Sequence, residues 1–178
     1  MKNKTLYGSM DVSEQQLVDC STSNGNNGCN GGWMPNAYQY IISYGITTEQ
    51  LYPYTQVQSS CRANGGSYKI SSYQGGAMSN CSALSSLLAG RVLSVAVSAG
   101  STEWMQYTGG ILNTCGPAGS TINHGVTLVG AYQDNLVNYW TVKNSWGTSW
   151  GEGGYIRIDR SGTGNLCLIC SYGYYPVI

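Results

Sequence analysis

The sequence predicts an α+β chain, with a helical portion first and a sheet or barrel-like portion after it. Three observations carry that expectation. Helix signals concentrate in the first half, strand signals dominate from about residue 92, and the composition shifts near Gly75–Gly76. At 178 residues the chain fits one ordinary domain or two small lobes sharing an interface. The expected division is a helical lobe over 1–75 and a β-rich lobe over 76–178.

The elements follow from local chemistry. "SEQQLVDC" (13–20) opens on Ser13 with Gln16 three residues on, a capping-box pattern, and predicts a short helix ending near Cys20. "STSNGNNGCNGG" (21–32) is dense in Gly and Asn, so it is loop with several positive φ angles. In "PNAYQYIISYG" Pro35 suits the first helical position and Gly45 the C-cap, while Ala37, Tyr40, Ile41 and Tyr44 fall on one face. Residues 46–80 read as irregular, and "SALSSLLAG" (82–90) as a short helix. Four strands follow: "VLSVAVS" (92–98), "HGVTLVGAY" (124–132), "YWTVKNSW" (139–146) and "GYIRIDR" (154–160). In the last, Ile156 and Ile158 share one face, opposite Tyr155, Arg157 and Asp159.

Charged residues are only 9% of the chain and the formal net charge is zero. Nothing would draw a polyanion or an acidic lipid surface, which argues against nucleic-acid and membrane partners. No apolar run is long enough to cross a bilayer. The start, "MKNKTLYGSMDVS", has no apolar core and does not read as a signal peptide. Seven cysteines nevertheless point to an oxidising compartment, and two acceptor triplets, at Asn3 and Asn80, fit a secretory route.

The single histidine, His124, opens a predicted strand after a Gly-rich loop. By itself such a residue can be a hydrogen-bonded structural histidine. Asn144 lies where a strand runs into a loop with two tryptophans, Trp146 and Trp150, which can simply be packed aromatics. The chemical reading joins them. An Asn oxygen accepts from one imidazole N–H and fixes the tautomer, leaving the other nitrogen for proton transfer, and an indole keeps water off that bond. A zinc or redox site is the rival. Cys167 and Cys170 form a C-x-x-C, but Cys20 and Cys29 are poorly spaced as a second pair. No phosphate loop, dinucleotide fingerprint or G-x-S-x-G motif occurs, and no cofactor or metal is expected.

Beyond these residues, "SEQQLVDCS", "NGCNGGWMPNAYQYI", "GITTEQLYPYTQ", "SVAVSAG", "YTGGIL", "NHGVTLVGAY", "YWTVKNSWGTSWGEGGYIRI" and "GNLCLICSYGYYPV" occur in that order. On these stretches the chain resembles papain-like cysteine peptidases of the cathepsin L and plant papain type. The resemblance implies a two-lobe fold, a helical left lobe and a β-barrel-like right lobe, with the active site in the cleft between them. It implies that His124 is the catalytic imidazole, Asn144 its orienting residue and Trp146 the indole over the pair. Gly31 and Gly32 match glycines whose backbone bonds an extended peptide. Trp33, Met34, Ala96, Ile122, Gly125 and Tyr172 match the pocket for the second residue before the scissile bond, and Asn123 precedes the histidine. Such a pocket offers no charge, so an apolar or aromatic substrate residue is expected. Disulfides Cys20–Cys61 and Cys115–Cys167 are implied by the family. Cys81 and Cys170 fall outside its common pairs, and their pairing stays open. Peptide or protein substrates, cystatin-like or propeptide inhibitors, a monomeric state and a lysosome-like or extracellular location are implied as well.

The resemblance also exposes a gap. The family's nucleophile is a cysteine in a C-G-x-C-W stretch that belongs upstream of Ser13, together with the Gln of the oxyanion hole. The twelve residues before Ser13 contain neither Cys nor Trp. Cys29 matches a cysteine whose partner lies in that same stretch. The expectation is therefore a sequence truncated at its N-terminus, with an incomplete helical lobe lacking its central helix and with no activity of its own. The alternative is a genuine product that lost its nucleophile and serves as a binding or decoy protein.

Overall fold

The computed structural model describes residues 10–63, 65–116, 120–162 and 164–178. The Asn3 triplet and the first nine residues of the chain start lie outside them. The elements run α1 (Glu14–Cys20), α2 (Met34–Tyr44), β1 (Ser72–Ala77), α3 (Cys81–Leu88), β2 (Leu93–Val97), α4 (Thr102–Met105), β3 (Ile111–Leu112), β4 (His124–Asp134), β5 (Val137–Lys143), β6 (Tyr155–Asp159) and β7 (Tyr172–Val177), with short 3-10 turns between some of them. The chain is thus mixed α+β. It divides into two compact units: residues 1–74 with 176–178, and residues 75–175.

The first unit is held mainly by polar groups. Ser13 caps α1 by accepting from the Gln16 N–H at 3.0 Å. The expected capping box is only half formed, because the Ser13 N–H donates to the Thr47 carbonyl instead. Gln16 is fully buried and spends its carboxamide on tertiary bonds: Nε2 donates to Tyr40 Oη and the Gly45 carbonyl, and Oε1 accepts from the Thr47 N–H. A long-range partner outcompetes the local one because a buried carboxamide must satisfy both ends. α2 starts at Met34, so Pro35 is its second residue rather than its first. Of the apolar face expected there, only Tyr40 is buried, and Tyr44 is 51% exposed. Gly45 does cap α2, with φ 80° and its N–H donating to Ile41. The loop over 21–32 forms two 3-10 turns, Ser21–Asn24 and Gly28–Asn30.

The second unit carries most of the sheet. The seven strands are ordered β1-β7-β2-β4-β5-β6-β3. β2 pairs antiparallel with β4 and β7, β4 with β5, and β5 with β6, while β3 runs parallel to β6. β1 was not expected, since two glycines in "SYQGGA" weaken its strand signal. α4, β3 and β7 were also absent from the sequence reading. Alternate residues of β4 and β6 point inward: Val126, Leu128, Ile156 and Ile158 join Leu93, Val95, Val97, Trp104, Trp140 and Val142 in one core. Ile156 and Ile158 are fully buried while Tyr155 is 37% exposed, so the face assignment for β6 holds. Ile156→Val is expected to lower stability by about 1 kcal/mol, read as a shifted urea midpoint at constant m.

Disulfides join Cys20 to Cys61, Cys81 to Cys170 and Cys115 to Cys167, leaving Cys29 free and exposed. The C-x-x-C cysteines are therefore divided between two bridges, and neither offers a thiolate to a metal or a redox couple. Among the described residues no helix is long and apolar enough to cross a membrane.

Candidate active site

His124 is the first residue of β4 and pairs with Val97, the last residue of β2. Its neighbour Asn123 ties down the strand entry. The Asn123 N–H donates to the Val97 carbonyl at 3.1 Å, and its side-chain oxygen accepts from the Ala99 N–H at 2.9 Å. Asn144 follows the last residue of β5, which pairs antiparallel with β4 through Thr127 and Lys143. The sheet thus brings together two residues that are 20 apart in sequence. His124 Nε2 lies 2.8 Å from Asn144 Oδ1.

The same Oδ1 accepts from the Ser145 N–H at 2.8 Å, so the carboxamide presents its oxygen to the ring rather than its NH2. Nε2 must then carry the proton, and Nδ1 is left for proton exchange. Asn144 is 7% exposed, which removes competing water from the bond. Its own N–H donates to the Gly154 carbonyl at 2.9 Å.

The Trp146 ring lies against the imidazole, with centroids 5.2 Å apart. Trp150 meets Trp146 edge-on at 5.3 Å and is packed from behind by Tyr107 and Trp104. Trp150 Nε1 also donates to the Met105 carbonyl. The loop that holds both indoles turns back at Gly151, whose φ is 58° and where a Cβ would lie 2.5 Å from the Tyr155 carbonyl. Glu152 then clasps Arg157 through two hydrogen bonds, 2.9 and 2.7 Å, and accepts from the Gly110 N–H. The Arg157 hydrogen bond holds the Glu152 carboxyl below its ordinary range, against the opposing effect of burial. Sequence reasoning missed Ser145 and this ion pair, whereas Trp150 is the packed aromatic that it allowed for. Glu152 and Arg157 were legible as opposite charges, but only the tight turn that bridges Glu152 to Tyr155 brings them together.

The other expected site residues separate into two groups. In the first unit Gly31 and Gly32 are exposed, Gly31 with φ 100°. Gly31 spends both peptide groups internally, on Gly28 and Asn27. Among the described residues nothing bonds the Gly32 N–H or carbonyl, so Gly32 offers the open backbone. Trp33 is the N-cap residue of α2, its N–H donating to Asn26 Oδ1, and Met34 begins the helix. In the second unit Ile122 and Tyr172 line an open groove of ≈ 510 Å³ together with Ala77, Met78, Asn80 and the Cys81–Cys170 bridge. Ala96 and Gly125 are partners across β2 and β4 and are not among the groove's lining residues. Ala96 is only 1% exposed, because it sits on a strand flanked on both sides, and so presents almost no surface. Among the described residues no group of three or more His, Cys, Asp or Glu side chains could hold a metal ion.

The family profile described as "Papain family cysteine protease" matches residues 1–177. The chain belongs to the papain family of cysteine proteases. This papain-family chain is 45% identical to a cathepsin L-like proteinase of Fasciola hepatica, over 100% of the chain and 54% of that protein. It is 37% identical to macrodontain-1 of Ananas macrodontes, over 94% of the chain and 77% of that protein. Among solved structures, the cysteine protease CMS1MS2 of Carica candamarcensis in complex with E-64 superposes with a TM-score of 0.86 at 38% identity, covering 99% of this chain and 82% of that one. The chain spans about half the length of the curated relatives it matches first.

Proposed function

We propose that this chain is the imidazole-bearing part of a papain-type cysteine endopeptidase, and that the complete protein hydrolyses peptide bonds through a thiolate–imidazolium pair. The observation that carries this reading is the 2.8 Å contact between His124 Nε2 and Asn144 Oδ1, with that oxygen held in place by the Ser145 N–H. The thiolate attacks the peptide carbonyl. His124 Nδ1 then delivers the proton to the leaving amine, and later takes one from the water that releases the acyl group. Asn144 keeps the ring in the right tautomer, and Trp146 shields the bond between them.

The nucleophile itself is carried by residues other than these 178. Six of the seven cysteines are in disulfides. Cys29 is exposed in a 3-10 turn of three residues, in the first unit, whereas His124 opens β4 in the second. The chain alone is therefore inactive.

The substrate is a peptide or protein with an apolar side chain two residues before the scissile bond. No charged residue lines the groove beside Ile122 and Tyr172, and Met78 adds apolar surface. Cystatin-like or propeptide inhibitors are the matching partners. The two compact units act as the helical and β-rich lobes of a monomer working in a lysosome-like or extracellular compartment, to which the disulfides are suited.

A thiol-directed peptidyl epoxide tests the reading. It is expected to leave this chain unlabelled and to label the product of the complete transcript once, at the second cysteine, the one before the Trp, of a C-G-x-C-W stretch. Labelling of Cys29 in this chain, or a complete transcript without that stretch, overturns it. In the second case, cystatin binding by the folded chain would mark an inactive binding protein instead.

A further inference from the structure

We propose that Asn80 is a site of N-linked glycosylation and that the stem of its glycan stands at the rim of the groove formed with Ile122 and Tyr172. Asn80-Cys81-Ser82 is an acceptor triplet. The folded chain keeps it usable. Asn80 and Ser82 are both exposed. Asn80 is the N-cap of α3, and its side-chain oxygen accepts from the Ala83 N–H at 2.9 Å. That bond uses the carbonyl half of the carboxamide. Nδ2, the atom that takes the sugar, bonds no described residue. Glycosylation leaves the carbonyl oxygen intact, so the cap survives modification.

The middle residue of the triplet looks like an obstacle, because Cys81 is bridged to Cys170. Order of synthesis removes it. Cys170 lies 89 residues downstream, which at about 5–20 residues per second is roughly 4–18 s of further translation. The triplet therefore reaches the transferase extended and unbridged. Nδ2 forms a bond to the anomeric carbon of an oligosaccharide carried on a lipid pyrophosphate. The bond from that carbon to the pyrophosphate oxygen breaks, the pyrophosphate leaves with the electron pair, and one Nδ2 proton passes to the transferase.

The position has a consequence. Asn80 lines the groove together with Met78, Ile122 and the Cys81–Cys170 bridge. A glycan there narrows access to the groove without blocking His124 chemistry. This consequence rests on the peptide-binding reading above, whereas the modification does not.

The test uses the complete protein secreted by a eukaryotic cell. Peptide-N-glycosidase treatment in heavy-oxygen water is expected to convert Asn80 to a labelled aspartate, seen by peptide mass spectrometry. Ser82→Ala, which keeps the Asn80 cap, is expected to abolish that label. An unmodified Asn80 in the wild-type protein overturns the proposal, whatever the peptidase assays show. For the groove, enzymatic deglycosylation is expected to lower KM several-fold for a peptide with an aromatic residue at the second position, with kcat unchanged. An unchanged KM overturns the narrowing role.

Discussion

Replacing Asn144 by alanine in the complete peptidase is expected to lower kcat by about 10²–10⁴-fold, the range spanned by a correctly placed general acid–base. KM should stay within a few-fold, because no peptide contact is removed. The reason lies in the bond network. Asn144 Oδ1 is what forces the proton onto Nε2 and leaves Nδ1 free. Without it the ring rotates and samples the wrong tautomer, and water enters the space that the buried carboxamide occupied. His124→Ala should remove proton transfer altogether and reduce kcat at least as far. The double variant should be no worse than His124→Ala alone, since a positioning residue cannot lose what its client has already lost. Losses that multiply in the double variant, or an Asn144→Ala enzyme with near-normal kcat, would show that Asn144 does not work through His124.

The second large effect concerns stability, and it lies in the first unit. Asp19 is expected to be the group whose loss destabilises that unit most. Its carboxylate is 4% exposed and accepts from four donors: Gln15 Nε2, the Ser59 N–H, Ser59 Oγ and Tyr52 Oη, at 2.8–3.0 Å. Burial pushes the Asp19 carboxyl up, but the hydrogen bonds from Ser59, Tyr52 and Gln15 outweigh it and hold the group below its ordinary range. Asp19→Asn turns an NH2 toward these donors, and at least one is left unsatisfied. A loss of about 3 kcal/mol is expected, the cost of disrupting buried charge-assisted bonds. For a chain of this length that corresponds to roughly 6–12 °C in Tm.

The pH dependence has a definite sign. A carboxyl with a depressed folded-state pKa contributes stability above its unfolded value of about 3.9, and that contribution is lost as pH falls through the lower folded value. Wild type should therefore lose stability steeply below about pH 4, and Asp19→Asn should be flatter over the same range. Glu152, also depressed, contributes an acid limb of the same sign in the second unit. Equal acid slopes for wild type and Asp19→Asn in thermal unfolding would sink the assignment.

How far the sequence reached can be judged element by element. β6 was legible because strict alternation has one physical meaning: Ile156 and Ile158 must share a face, and the other face is wet. The cap at Ser13, the stop at Gly45 and the strand starting at His124 were legible because each depends on residues within a few positions of one another. β1 was not, because its partner β7 lies about a hundred residues away and its own glycines argue against a strand. The roles of Gln15 and Gln16 were equally hidden. Gln16 read only as the partner of Ser13 in a capping box and Gln15 carried no reading, yet both are fully buried because residues 45–57 return over them and supply partners.

The sequence alone determined the α+β order, the family, and the pairing of one imidazole with one carboxamide as candidates, since motif order and residue type are local properties of the chain. Tertiary structure alone decided which atoms meet. Only the pairing of β4 with β5 sets Nε2 against Oδ1, only the Ser145 N–H orients that oxygen, and only the return of the chain at Cys170 closes a groove beside Asn80. Hydrogen bonds and packing act over a few ångströms, and a linear pattern does not say which distant residues will come within that reach.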